Sequence, residues 1–469
     1  MPVKGGIFRR LIRAGFDSAV TNDANRKHWA HADGLSADAA ASPEVRRTLR
    51  NRARYEAANN SYAKGIVLTL ANDVVGTGPR LQLLTEDDQA NQRIEQAFTA
   101  WTKAVGLPEK LRAMRASRAT DGEVFAVLSS NPHLATPVKL DVRLIEADQV
   151  CTPDLSLLAD SAVDGIVFDE FGNPAEYHVL KGHPGDTRTG FLGLEYDRVP
   201  AESVLHYFRA DRPGQSRGIP DITPALPLFA QLRRFTLAVL GAAETAADFA
   251  GILYTDAPAN GEAESVEPMD SIELEARSLL TMPGGWKMAQ VQAEQPSTTY
   301  AEFKREILNE IARCLNMPFN VAACNSSGYN YASGRLDHQT YFKSIRVEQE
   351  HLACAVLDRL LDAWLREAVL SSDLLPLPVR TLIATGQSLS HQWFWDGNEH
   401  VDPAKEATAQ ATRLASHTTT LAAEYAKQGR DWENELRQRG KELSLMKELG
   451  LAQEQVGQLA PSGREDEDA

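Results

Sequence analysis

The sequence predicts an α+β fold, with a mixed body placed ahead of two long helices that flank a loop-rich excursion. Three observations carry that prediction. Strand-like runs crowd between Glu123 and Phe208, a helical run extends from about Leu226 to Ala250, and a second helical run returns from Thr299. With 469 residues, 43% of them hydrophobic, the chain has material for two or three domains. The formal net charge of −15 argues against a protein that grips nucleic acid electrostatically, since such binding relies on Lys and Arg neutralising phosphates.

The first 45 residues read as a flexible arm. The stretch KGGIFRRLIRAGF is basic and amphipathic but has no long apolar core, so it is not a secretory signal. The histidine pair His28 and His31 has no further ligands nearby and makes no metal site. Arg46, Arg47, Arg50, Arg52 and Arg54 then fall in one short burst. They form either a helix face paired with acidic neighbours or a phosphate-contacting patch. Gly76 and Gly78 do not make a dinucleotide loop, because Leu81 stands where the third glycine belongs and Pro79 breaks the start of the helix.

Residues 91 to 119 read as helices. GEVFAVLSS, VKLDVRLIEADQV and ESVLHYF read as strands, and IVFDEFGNPAEYHVL as an antiparallel hairpin turning at FGNP. Gly214-Gln215-Ser216-Arg217-Gly218 fits the five-residue pattern of a nucleophile elbow, which would make Ser216 a hydrolase nucleophile. That elbow needs a strand directly before the serine and a helix directly after it, and Pro213, Pro220 and Pro224 oppose both.

Leu228, Leu232, Phe235 and Val239 fall on one face of the outgoing helix, and its second half is almost all alanine and glycine, so another helix could approach closely. Arg233, Arg234, Glu244 and Asp248 break the run too often for it to span a bilayer. On the returning helix, Phe303, Ile307, Ile311 and Cys314 form an apolar stripe. Glu302, Glu306 and Glu310 stack on another face, and such like-charge pairs repel by a few tenths of a kcal/mol each. The ladder is either a solvated face or the lining of a lumen. Cys151, Cys314, Cys324 and Cys354 show no metal-like spacing and read as reduced, mostly buried thiols. Trp393 and Trp395 read as packing residues rather than a base-stacking site.

Several stretches, in order, carry a resemblance. RADRPGQSRGIPDITPAL resembles the run that introduces the first stem helix in phage portal proteins of the lambda type, and RARYEAANNSYAKG resembles a segment near the start of that family. TDGEVF, LIEADQV, DGIVFDEFGNPAEYHV and VPAESVLHYF follow in family order, then NYASGR, VDPAKEATAQ and EYAKQGRDWENELRQRGKE. The resemblance spans about Arg46 to Leu451.

It implies a portal-type fold that assembles as a ring, and a non-enzymatic function without a catalytic residue, metal or cofactor. The wing would be 46–222, the first stem helix 223–250, the clip 251–298, the second stem helix 299–316 and the tunnel loop 317–334. A long wing or crown helix would fill 335–371, a C-terminal wing and crown region 372–455, and a disordered acidic tail 456–469. Asn325, Ser326, Ser327, Gly328, Tyr329 and Asn330 would face DNA, with Glu302, Glu306, Glu310, Glu244 and Asp248 lining the channel. Asp256, Glu262, Glu264, Glu267 and Asp270 would dock the terminase on the clip.

The implied partners are identical subunits, usually twelve, double-stranded DNA held weakly, the terminase large subunit, the major capsid or scaffold protein, and head-completion or tail connector proteins, with no membrane. The implied place is the virion portal vertex, after assembly in the host cytoplasm. Twelve copies of −15 would put about −180 on the ring, a field that keeps a phosphate backbone sliding rather than bound. A serine hydrolase using Ser216, and a head-associated adaptor that binds DNA through Arg46 to Arg54, are the alternatives from other classes.

Overall fold

The structure is a computed structural model that describes residues 23, 25–152, 162–186, 195–248, 252–255, 286–289, 297–371, 374–397 and 403–451. Ser36 caps the single turn α1 (Ala37–Ala40) and Ser42 caps α2 (Pro43–Asn59), where proline sits at the first position and its missing N–H is harmless. Asn60 ends α2 and starts α3 (Ser61–Val75), accepting from the N–H groups of Tyr62 and Ala63. Gly76, at φ +57°, stops α3 before β1 (Arg80–Leu83). A helix, not a strand, therefore leads into the glycines of VVGTGP. Helices α4 (Asp88–Ala104) and α5 (Leu107–Asp121) follow.

Strands β2 (Glu123–Ser130) and β3 (Leu140–Ile145) pair antiparallel. A second antiparallel sheet runs in sequence order through β4 (Ala162–Val163), β5 (Ile166–Phe168), β6 (Pro174–Leu180) and β7 (Tyr196–Pro200). The turn joining β5 to β6 is the expected FGNP, with Asp169 accepting from the N–H groups of Phe171 and Asn173 and Gly172 at φ +81°. Then β8 (Val204–Phe208) returns to the free edge of β2, giving the order β3-β2-β8. Central β2 is buried on both faces. Val124 and Ala126 join the main core under the helices, while Phe125 and Val127 join a smaller core with Ile166, Tyr177 and Val179 of the second sheet. This explains why the strand reads as a continuous apolar run rather than an alternating one.

After β8 the chain runs through a loop into α6 (Leu226–Asp248), about 35 Å long at 1.5 Å per residue. β9 (Ile252–Thr255) and β10 (Trp286–Ala289) pair antiparallel beyond it, and α7 (Ser297–Arg313) returns. Phe235 on α6 meets Tyr300 and Phe303 on α7, with ring centroids 5.5 and 4.9 Å apart. α7 stops three residues short of the expected Asn316, because Asn316 takes the left-handed conformation (φ +52°) and the Met317 N–H folds back to the Ala312 carbonyl.

The short α8 (Phe319–Ala322) precedes α9 (Tyr331–Leu352), which passes through a π-helical turn at Ala353–Leu357 into α10 (Asp358–Leu370). Together they make one rod about 60 Å long. Trp364 of α10 packs on Phe98 of α4 at 5.3 Å, beside the fully buried Trp101. Beyond α11 (Leu377–Ala384), β11 (His391–Phe394) pairs with β1, bringing Trp393 to 5.9 Å from Phe98 and its Nε1–H to Asp358. Trp393 is thus engaged in packing. α12 (Pro403–Ala415), α13 (Leu421–Lys427) and α14 (Trp432–Glu448) close the described chain. No helix among the described residues is long and apolar enough to cross a membrane.

Candidate functional site

The loop between β8 and α6 sets the direction of the long helix, and its anchor is Arg217. This guanidinium is fully buried and reaches Glu123 from Nε and Nη2 at 2.7 to 2.9 Å, with further bonds to the carbonyls of Val150, Asp164 and Ala147. Glu123 is itself wholly buried. Burial alone would raise its carboxyl, but the charge of Arg217 and hydrogen bonds from His206 and Arg217 hold it well below the usual carboxylate range. His206 donates to Glu123 at 3.1 Å while stacked on Phe125, and burial pushes the imidazole below its ordinary value despite that carboxylate. Beside them, Gly218 lies so close to Gly122 that an added Cβ would stand 2.1 Å from the Gly122 carbonyl oxygen. That approach requires glycine in the Arg-Gly-Ile-Pro run.

Ser216 sits on this loop and is not on a nucleophile elbow. β8 ends at Phe208, α6 begins at Leu226 after two prolines, and the Ser216 N–H and hydroxyl both donate to Asp38 at 2.8 Å. Ser216 tethers the segment around α1 to the base of the long helix, and the prolines keep it off an elbow as expected. The same tether pins residues expected to be a free arm, and Arg212 adds a bond to the Leu35 carbonyl.

The basic burst resolves as a face paired with acids. Arg46 bonds Asp164, Arg50 bonds Asp148, and Arg54 bonds Asp121, Glu146 and Asp148. Arg46 and Arg50 are buried, so the patch cannot act as the adaptor's DNA contact; Arg47 and Arg52 alone of the five are exposed. Glu146, Asp148 and His183 converge, with potential ligand atoms within 4.8 Å of one another. Arg54 already supplies the cation there.

The stem residues divide sharply along their length. On α6, Leu226, Phe229 and Leu232 are buried, whereas Leu237 is 62% and Leu240 55% exposed. On α7, Ile307 and Ile311 are buried and Phe303 is 51% exposed. Glu302, Glu306 and Glu310 all face solvent, as does Glu244, and Glu306 takes a bond from Arg305 at 3.3 Å. The side chain of Asp248, and Asp256, Glu262, Glu264, Glu267 and Asp270, lie outside the described residues.

The loop expected over 317–334 is shorter, because α8 occupies its start and α9 already begins at Tyr331. Asn330 and Ser333 form a capping box that starts α9, so NYASGR is a helix start rather than a loop. The projecting tip carries Asn325, Ser326, Ser327 and Gly328, all exposed, as is Asn330. Tyr329 turns back instead. It is half-buried, burial raises its hydroxyl, and the N–H groups of Asn320 and Phe319 donate to it. Asn320 also meets His338 of α9 at 2.9 Å, and nearby Tyr341 donates to Asp73 of α3 at 2.6 Å.

Sequence reasoning missed these anchors, together with the joint in which Arg115 binds Asp221 at 3.0 Å and Arg118 binds Glu348 and the Tyr207 hydroxyl at 2.8 and 2.9 Å. None of them has a local signal. All four cysteines are free. Cys151 and Cys314 are half-buried, but Cys324 and Cys354 are exposed, which corrects the expectation of mostly buried thiols.

Residues 23–349 match the family model described as phage portal protein, lambda family. The chain is 26% identical over 430 residues to a probable portal protein of Halomonas phage phiHAP-1, covering 86% of this chain and 81% of the other. It is 19% identical over 471 residues to portal protein B of Escherichia phage lambda, with 89% and 87% covered. Among solved structures it resembles a chain from the neck of a native gene transfer agent particle (TM-score 0.48, 13% identity) and one from the virion of such a particle (TM-score 0.45, 12% identity), each covering 83% of this chain and 94% of the other. With the model matching most of its length, this chain belongs to the lambda family of phage portal proteins.

Proposed function

We propose that copies of this chain, twelve in number, close into a ring at one capsid vertex, and that double-stranded DNA enters and leaves the head through its bore. The observation that carries this reading, beside family membership, is the uncovered apolar side of the stem. Leu237, Leu240 and Phe303 are more than half exposed on the two paired helices, and a neighbouring copy's stem is the natural cover. The body through Ile222 serves as the wing, α6 and α7 as the stem, residues 251–298 as the clip, the 323–330 loop as the tunnel loop, and α12 to α14 as the crown.

Glu302, Glu306, Glu310 and Glu244 line the stem's bore and keep the duplex from adhering, while Asn325, Ser326 and Ser327 offer neutral donors at the constriction. The clip acids, Asp256, Glu262, Glu264, Glu267 and Asp270, receive the terminase large subunit, and head-completion or tail proteins replace it once the head is full. Capsid or scaffold protein meets the wing during assembly in the host cytoplasm.

Electron microscopy of the purified full-length chain tests the ring, with annular particles expected and a monomeric species overturning it. Exchanging Glu302, Glu306 and Glu310 for lysine tests the lining. DNA packaged per procapsid should fall at least tenfold, and unchanged packaging would remove these residues from the bore.

A further inference from the structure

The conduit reading leaves unexplained a row of cations on α9. Arg335, Lys343 and Arg346 are exposed, and with Gln339 they fall within an arc of about 80° on one side of the helix. The buried side, carrying Tyr341, Ile345 and Leu352, is opposite. The row is about 16 Å long at 1.5 Å per residue.

Elsewhere this acidic chain commits its buried arginines to carboxylates. Arg46, Arg50, Arg115, Arg118 and Arg217 are all in ion pairs. Among the described residues, none of the three cations on α9 takes part in an ion pair or hydrogen bond, although two carboxylates are within reach in sequence. Asp337 lies two residues from Arg335 on another side of the helix, and Glu350, four residues beyond Arg346, instead accepts from the Cys354 thiol at 3.6 Å. The row also begins where the tunnel loop ends. Asn330 caps α9, while the bond between Asn320 and His338 holds the loop against the helix, so the exposed loop lies beside the first turns of the cationic row.

We infer that this face of α9 touches the phosphate backbone of duplex DNA as it passes the tunnel loop, so that the conduit holds a cationic collar next to its acidic stem. The inference rests on the conduit reading and names the residues that touch the passenger. A duplex carries one charge per about 1.7 Å of axis, so a row of this length passes several phosphates, and the attraction is independent of sequence. Only a few copies in the ring touch the duplex at once, and the bond is exchanged as the duplex advances.

The test compares assembled rings of the wild type with rings carrying Arg335→Gln, Lys343→Gln and Arg346→Gln together. Binding to a 30-base-pair duplex, roughly three turns, is measured across a salt series. The expected result is an intact ring whose plot of log affinity against log salt flattens by about 0.9 for each phosphate that is no longer neutralised. An unchanged slope in an intact ring overturns the inference. Loss of the ring in the triple variant, with the fold retained by circular dichroism, also overturns it and assigns the face to the next copy, where the Glu302 to Glu310 ladder is the candidate partner. A wild-type chain that stays monomeric sinks the conduit reading itself, which is a separate failure.

Discussion

Arg217 and Glu123 find all their partners within one chain, whereas Leu237 and Leu240, farther along the stem, stand in water. Glu123 and Arg217 have no exposed surface, and between them they tie together β2, β8, the loop before α6 and the turn at Asp164. Farther along the chain, Leu237 and Leu240 stand open on a helix whose base is buried at Leu226, Phe229 and Leu232. The contrast teaches where folding ends and assembly begins. The base of α6 is fixed by intramolecular charge pairing, so its angle to the preceding sheets is set within one chain. On the proposed reading, the shaft's exposed leucines are covered by copies of the same chain.

The largest expected effect falls on the finished region. Arg217→Ala strands a buried carboxylate, and breaking such a pair costs about 3–5 kcal/mol, read as a fall in the urea midpoint. Arg217→Lys should recover only part of this, because one ammonium cannot fork to Glu123 and three carbonyls together. A loss under about 1 kcal/mol would show that the site relaxes easily and that the stem angle is not pinned there.

The unfinished region should respond in the opposite manner. Leu237→Asp with Leu240→Asp should leave the stability of the isolated chain within about 0.5 kcal/mol, because both sites are exposed. Covering the exposed part of each leucine in the proposed ring is worth about 1–2 kcal/mol per interface, so light scattering should report subunits in place of rings. Rings that survive both aspartates would mean that the stem is not the adhesive surface, and the contrast between base and shaft would fail.

A smaller effect comes from pH. His206 is held neutral by burial, with its folded value below the unfolded one near 6.5. The unfolded chain therefore binds the proton first, and stability falls as pH drops below about 6.5. Glu123 has the same sign lower down. Its contribution is present above the unfolded carboxylate value near 4.3 and is lost as pH falls through its depressed folded value. His206→Phe should remove the upper part of that loss, read as the difference between its thermal melts and those of the wild type from about pH 8 to pH 4.

Much of the fold is legible in local pattern. The strands from Glu123 to Phe208 and the FGNP turn follow from alternation and turn chemistry, and both long helices follow from their periodicity, each to within a few residues. The charge network is not, because its partners lie 94 and 118 positions apart and no spacing rule connects Arg217 to Glu123 or Arg46 to Asp164. The Arg46 to Arg54 burst shows the limit plainly: sequence sets out paired face against phosphate patch, and only the fold brings Asp121, Asp148 and Asp164 under it. The loop that the resemblance places over 317–334 is shorter because Asn330 and Ser333 form a capping box that starts α9, although that signal is local. Exposure of Cys324 follows from its place at the foot of the projecting loop, which composition does not report.

The smallest effect separates the wing network from the joint where β1 meets α14. Glu95 accepts from the Leu83 N–H at 2.7 Å. Burial first, and then the nearby Asp431 and Glu433, push its carboxyl up to about 7 against that bond. A raised carboxyl has the opposite sign to Glu123: the folded chain binds the proton first, so this group adds stability as pH falls from about 7 toward 4.3. Glu95→Gln keeps an acceptor for Leu83 and removes the charge. It should stabilise the chain by about 1 kcal/mol at pH 8, after allowance for a half-exposed site, and the gain should vanish near pH 4.5. Because His206 acts in the reverse direction over part of the same range, the wild-type melt alone hides both. The difference between wild type and Glu95→Gln isolates the joint, and a difference that stays flat from about pH 8 to pH 4.5 would show that Asp431 and Glu433 do not crowd Glu95 in solution.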